Sequence, residues 1–184
     1  MKAVRSFLVI LAAAMVAALP ASAQPKKPIS PHETITAEID GDHLSLSYGR
    51  PYTKNPKTGE VRKIWGGLVP YGEVWRTGAN EATVLSTEKP LIFDGTTIPA
   101  GSYTLWTVPE ADGSAKLIFN KQTGQWGTKY DATQDFAKVP MKKSAIEKPV
   151  DQFTMVIDQN PAGGGEIKLL WELTQYSASF TVGK

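Results

Sequence analysis

From Thr34 onward the apolar residues fall at every second position: Ile35, Ala37 and Ile39, then, after Asp40-Gly41, Leu44, Leu46 and Tyr48. A period of two marks a half-buried strand, and Asp-Gly supplies the positive φ values of a tight turn, so a β-hairpin is predicted here. The same alternation recurs over residues 83–87, 91–93, 102–108, 115–119, 153–157, 167–173 and 176–182. Turn residues separate the runs: Asp94-Gly95, Pro99-Ala100-Gly101, Asp112-Gly113 and Gly163-Gly164-Gly165. In the penultimate run Ile167, Leu169, Trp171 and Leu173 share one face, with Glu166, Lys168, Leu170 and Glu172 on the other, the pattern of a sheet wet on one side.

No window carries a long capped amphipathic helix, and the best candidate, 133–138, is too short to build a layer. The fold is therefore predicted to be all-β. About nine or ten short strands suit an antiparallel β-sandwich or jelly roll, with a closed barrel as the rival arrangement. The irregular stretch 50–80 stands out, because loops longer than about 12 to 15 residues are uncommon in compact domains and are often functional.

The N-terminus follows a different pattern. Lys2 and Arg5 open it, residues 7–19 are uncharged and apolar, and Ala21-Ser22-Ala23 has the small-x-small form of a cleavage site. Residues 1–23 are thus predicted to be a signal peptide, and 24–31, with Pro25, Lys26, Lys27, Pro28 and Pro31, a Pro/Lys-rich tether. As a helix, residues 7–19 would reach only about 20 Å, short of the roughly 30 Å hydrocarbon core, so a membrane span is not expected. The mature protein is expected to be exported, periplasmic or secreted, and soluble; without a cysteine it cannot be a lipoprotein.

Composition narrows the chemistry. Of 184 residues, 41% are hydrophobic, and removing the leader leaves 161, enough for a single β domain over 32–184. The leader holds two of the 20 basic residues and none of the 18 acidic ones, so the mature chain is charge-balanced. That excludes a whole-protein electrostatic footprint for nucleic acid. Zero Cys excludes thiol catalysis, disulfides, iron–sulfur clusters and thiolate zinc sites.

The irregular stretch holds the richest text. Trp65, Tyr71, Glu73, Trp75, Arg76, Asn80 and Glu81 lie among glycines, and Arg50 ends the preceding strand in Tyr48-Gly49-Arg50-Pro51. These segments, with Trp65-Gly66-Gly67-Leu68-Val69-Pro70-Tyr71, Val74-Trp75-Arg76-Thr77-Gly78-Ala79-Asn80-Glu81-Ala82-Thr83 and Pro99-Ala100-Gly101-Ser102-Tyr103-Thr104-Leu105-Trp106, closely resemble the exported bacterial family catalogued as domain of unknown function 2911. The resemblance runs over about 30–158 and implies an exported single-module β protein; it carries over no catalytic residue.

Three functions stay open. In the first, Arg50, Trp65, Tyr71, Trp75, Arg76, Asn80, Glu81 and Trp126 are ligand-binding candidates: a guanidinium fork suits an anionic group, and aromatic faces suit a saccharide. In the second, the block is a structural lock in an envelope protein with an unidentified protein partner, held by an internal Arg76–Glu81 or Arg50–Glu81 pair, since partly buried arginines are usually paired. In the third, Glu81 with Arg76, or Glu73 with Glu81 as an acid and base pair, serves a hydrolase. No G-x-S-x-G elbow, H-E-x-x-H helix or phosphate loop is present, which favours binding over catalysis. His32 and His43 are the only imidazoles; they would approach each other only through the first hairpin, with Glu33 or Asp42 as carboxylate, so neither a metal nor a cofactor is expected.

Overall fold

The computed structural model describes residues 30–184, so the leader expected over 1–23 and most of the tether over 24–31 lie outside the described residues. Within them the predicted alternation becomes nine strands: β1 His32–Ile39, β2 Asp42–Gly49, β3 Thr83–Thr87, β4 Leu91–Phe93, β5 Thr96–Ile98, β6 Gly101–Pro109, β7 Ala115–Asn120, β8 Asp135–Gln159 and β9 Gly165–Val182. The β1–β2 turn is the expected Asp-Gly one, with φ of 48° at Asp40 and 73° at Gly41. It sets Ile39 opposite Asp42 and Leu46 opposite Ile35, so the apolar positions of both strands share the inner face.

All pairings are antiparallel, in the order β1-β2-β3-β6-β7-β8-β9-β4-β5. The all-β antiparallel fold is therefore present, but its two layers belong to one open sheet that folds over on itself. Tyr48 of β2 meets Phe153 of β8 at 5.8 Å between ring centroids, and Phe93 of β4 meets Phe119 of β7 at 5.2 Å, although neither pair sits on neighbouring strands. Such facing aromatics bury large apolar areas and form one continuous core between the halves.

The fold-over depends on the two long strands. Strand β8, 25 residues long, pairs β7 through its first part and β9 through the rest. Its register against β9 jumps twice: Ala145 faces Thr174, Val150 faces Glu172 and Thr154 faces Leu170, so residues 146–149 stand opposite Leu173 alone. Glu172, at the irregularity, has φ of 53°. Residues 151–153 leave β9 and bond instead to the chain after β2, Thr53 N–H donating to Asp151 O (2.7 Å) and Phe153 N–H to Pro51 O (2.9 Å). That junction anchors the beginning of the irregular stretch 50–80.

The short window 133–138 divides between a one-turn 3₁₀ helix, Ala132–Gln134, and the start of β8. Asp131 caps the turn by accepting from Thr133 N–H at 2.9 Å.

Candidate functional site

Segment 75–82 is fixed at both ends by strand-like bonds. Trp75 N–H donates to Thr107 O (2.8 Å) and Thr107 N–H to Trp75 O (2.9 Å), attaching the residue to β6. Its indole then enters the core, stacked on Trp171 at 6.0 Å and 25° and edge-on to Phe153 at 5.0 Å. At the other end Gly127 N–H donates to Asn80 O (2.8 Å) and Ala82 N–H to Gln125 O (3.1 Å).

Between those anchors the backbone turns through positive φ at Thr77 (50°), Gly78 (151°) and Asn80 (64°). For the two non-glycine residues this costs on the order of 1–2 kcal/mol each, so surrounding bonds must hold the turn. Thr77 Oγ1 lies 2.7 Å from Thr107 Oγ1, Thr83 Oγ1 donates to Thr77 O (2.7 Å), and Asn80 Nδ2 donates to Ser30 O (3.0 Å). Two glycines let the turn sit close: a Cβ on Gly49 would come within 2.0 Å of Ala79 O, and one on Gly127 within 2.7 Å of Arg76 Cδ.

A cleft of about 320 Å³ opens between this turn and the loop after β2. Pro51, Tyr52 and 55–57 with Arg62 form one wall, Arg76 and 78–80 the other, Leu68 and Ser30 complete the rim, and Trp75 and Trp171 close the floor. The wall loop is tied by Arg62, whose Nε donates to Thr53 O (3.3 Å) and whose Nη2 donates to Tyr52 O. Lys57, Arg62 and Arg76 bring three cations to the lining, and among the described residues no carboxylate lines it.

The two arginines singled out from the sequence have separate surroundings. Arg50 spends its fork inside the fold: Nε donates to Phe153 O (3.2 Å), Nη2 to Thr154 Oγ1 (2.8 Å), and Nη1 lies 3.2 Å from Glu33 Oε2. That carboxylate also accepts from Tyr48 O–H (2.7 Å), whose oxygen accepts from Met155 N–H (2.9 Å). Arg76 is half-buried with its stem against Gly127, and among the described residues its guanidinium has neither a hydrogen-bond nor an ion-pair partner. Neither of the pairs weighed from the sequence is made, because Glu81 Oε2 lies 2.6 Å from His32 Nε2.

Of the eight candidates, the cleft brings together Trp75, Arg76 and Asn80. Arg50 lies beside β8 instead. Trp65 is buried against Tyr176 at 5.1 Å, while Tyr71 is exposed and lies over Gly66. Glu81 and Trp126 pair with each other through a backbone bridge outside the cleft. Trp126 is 47% exposed against 8% for Trp65 and for Trp75, so it alone of these three presents an open indole face. Glu73 is exposed. The first hairpin forms but separates the histidines, His32 lying opposite Gly49 and His43 opposite Glu38 at the far end. No group of three or more His, Asp or Glu residues converges among the described residues. Nor is any helix among them long and apolar enough to cross a membrane.

Tyr52, Asn55, Lys57 and Arg62 line the cleft but were not singled out in the sequence. The signal for them was the length of the irregular stretch that holds them, not their residue types. Trp171, read there as a strand residue of the core, donates Nε1–H to Thr53 Oγ1 (3.1 Å) and so ties the floor to the loop wall.

Burial also shifts several phenols. It raises Tyr48 and Tyr130 above the usual tyrosine range, aided by the Glu33 and Asp135 carboxylates, which accept hydrogen bonds from their O–H groups. Tyr176 is pushed up to about 12, chiefly by burial.

No curated protein and no solved structure matches the chain. A family model described as "Protein of unknown function (DUF2911)" matches residues 30–180, which extends the resemblance into β9 and takes in every residue of the cleft. The chain therefore belongs to the DUF2911 family of proteins of unknown function.

Proposed function

We propose that the protein is an exported binding module that takes a small polar ligand in the cleft between the loop after β2 and residues 76–80. The observation that carries this reading is Arg76: its stem packs on Gly127, and its guanidinium, at the cleft, has no partner among the described residues. A guanidinium that lines a cleft and spends none of its donors on the fold has its whole fork available to a ligand. The cleft's volume, about 320 Å³, lies at the lower end of the range for small-molecule sites. The strained turn at Thr77 and Asn80 adds support, since such backbone concentrates where side chains must be aimed. Export rests on the leader pattern of residues 1–23.

The test is an amide NMR titration of the mature chain with a panel of envelope metabolites and glycans. Binding at this site is expected to move resonances of residues 51–57, 62 and 75–80 together. Shifts confined to other surfaces, or none with any compound, contradict the reading.

A further inference from the structure

We infer that the cleft's ligand carries a compact oxyanion, a carboxylate or a phosphate, and that Arg76 is the residue that grips it; this rests on the cleft being the binding site and names the class it takes. Unspent donors are the first support. Each of Arg50's three guanidinium nitrogens is engaged, by Phe153 O, Thr154 and Glu33, whereas Arg76 has all five N–H groups uncommitted among the described residues. A planar fork of that kind matches the two oxygens of a carboxylate or phosphate. Arg62 uses Nε and Nη2 on the loop carbonyls, and its Nη1 has no partner among the described residues. Asn55 accepts from Lys57 N–H through Oδ1 (3.0 Å), which leaves its amide N–H₂ available.

Charge is the second support. Lys57, Arg62 and Arg76 gather at one cleft of a chain whose charges balance once the leader is removed, and the carboxylates expected nearby are engaged elsewhere, Glu33 with Arg50 and Glu81 with His32. A concave wall with one sign of charge focuses its field on a counter-ion. The floor is the third. Trp171 has no exposed surface and Trp75 is only 8% exposed, so the cleft offers no open indole on which a neutral sugar ring could stack. Tyr52, Pro56 and Leu68 add apolar surface to the walls, while the donors and charge gather on Asn55, Lys57, Arg62 and Arg76.

The experiment is calorimetric titration of the mature protein, Arg76→Gln, Arg76→Lys and Lys57→Gln with inorganic phosphate, citrate and maltose, at two salt concentrations. The inference expects saturable binding of phosphate or citrate that weakens at least tenfold in Arg76→Gln, less in Arg76→Lys, and two- to fivefold in Lys57→Gln, with salt weakening all of them. Whether citrate or phosphate binds more tightly separates a carboxylate ligand from a phosphate one. Maltose binding that Arg76→Gln leaves unchanged overturns the oxyanion inference, and the cleft stays the site only if maltose also moves the amide resonances of its lining. Anion binding indifferent to both Arg76→Gln and Lys57→Gln overturns the inference and moves the site elsewhere. No binding of any of the three overturns the oxyanion inference, and the cleft reading then falls only if the metabolite panel also fails to move its resonances. Should Arg76→Gln not fold, the exposed Lys57→Gln variant still decides the matter through its fold-change and salt dependence.

Discussion

Glu81 Oε2 lies 2.6 Å from His32 Nε2, so its carboxylate pairs with neither Arg50 nor Arg76. With Glu81 held at the start of β1 and Glu33 held by Arg50, the Arg76 guanidinium is left without a partner among the described residues. One arginine thus ties β2 to β8, and the other faces a cleft.

Arg50→Ala removes two hydrogen bonds to β8 and the link to Glu33, leaving Tyr48 O–H as that carboxylate's remaining partner. The group is partly exposed, so a loss of about 2–3 kcal/mol is expected rather than the larger cost of breaking a fully buried pair. Urea unfolding of the mature chain measures it; a change under about 0.5 kcal/mol, the range of ordinary surface substitutions, contradicts the role.

Gly49→Ala and Gly59→Ala separate steric fit from backbone conformation. A methyl at Gly49 would strike Ala79 O at 2.0 Å, backbone against backbone, so about 2–3 kcal/mol of destabilisation is expected from overpacking, with disturbance of the 77–80 turn. At Gly59, φ is +75° and nothing lies within 4 Å, so only the conformational cost applies, about 1 kcal/mol. Equal losses at both positions contradict the close approach.

How much of this was legible in the sequence follows from which signals are local. The Asp40-Gly41 turn and the alternation of Ile35, Ala37, Leu44 and Leu46 announce the first hairpin, because turn chemistry and period two are set within a few residues. The first part of β8 was missed. Ala137, Val139 and Met141 do alternate inward, but Lys138, Pro140, Lys142 and Lys143 mask the pattern, and a strand of 25 residues departs far from the usual length. The site was half legible. Trp75, Arg76 and Asn80 stood out by type, yet whether Glu81 would meet Arg76, Arg50 or His32 is decided by the register of β1 against β2 and by the bridge to Trp126. Those are long-range facts. The opposite wall, Tyr52 to Arg62, depends on bonds to β8 a hundred residues away, such as Thr53 N–H to Asp151 O.

Alkaline stability should fall early and steeply. Burial holds Tyr48, Tyr130 and Tyr176 protonated beyond the ordinary tyrosine range, Tyr176 up to about 12, while the unfolded chain releases those protons near pH 10. Between these limits the unfolded state binds fewer protons, so stability present below about pH 10 is lost as pH rises toward about 12. Lys168, raised by its bonds to Asp158 and Glu166, acts in the same sense. Tyrosinate absorbance followed beside circular dichroism measures the effect. Part of the phenol signal is expected to appear only with unfolding; ionisation of all 6 tyrosines near pH 10 with the fold intact contradicts it.

Export can be read from mass. Cleavage after Ala23 predicts that protein recovered from the cell envelope or medium begins at Gln24 and has 161 residues. Intact-mass spectrometry decides this. Retention of Met1 through Ala23 in that fraction contradicts the leader assignment.

Whether Arg76 serves a site or the fold is decided by chemical unfolding of the mature wild type beside Arg76→Ala. A change within about 1 kcal/mol is expected, the loss of the stem's contact with Gly127 being the cost. A loss of about 3 kcal/mol or more would mean that Arg76 is a paired structural residue after all.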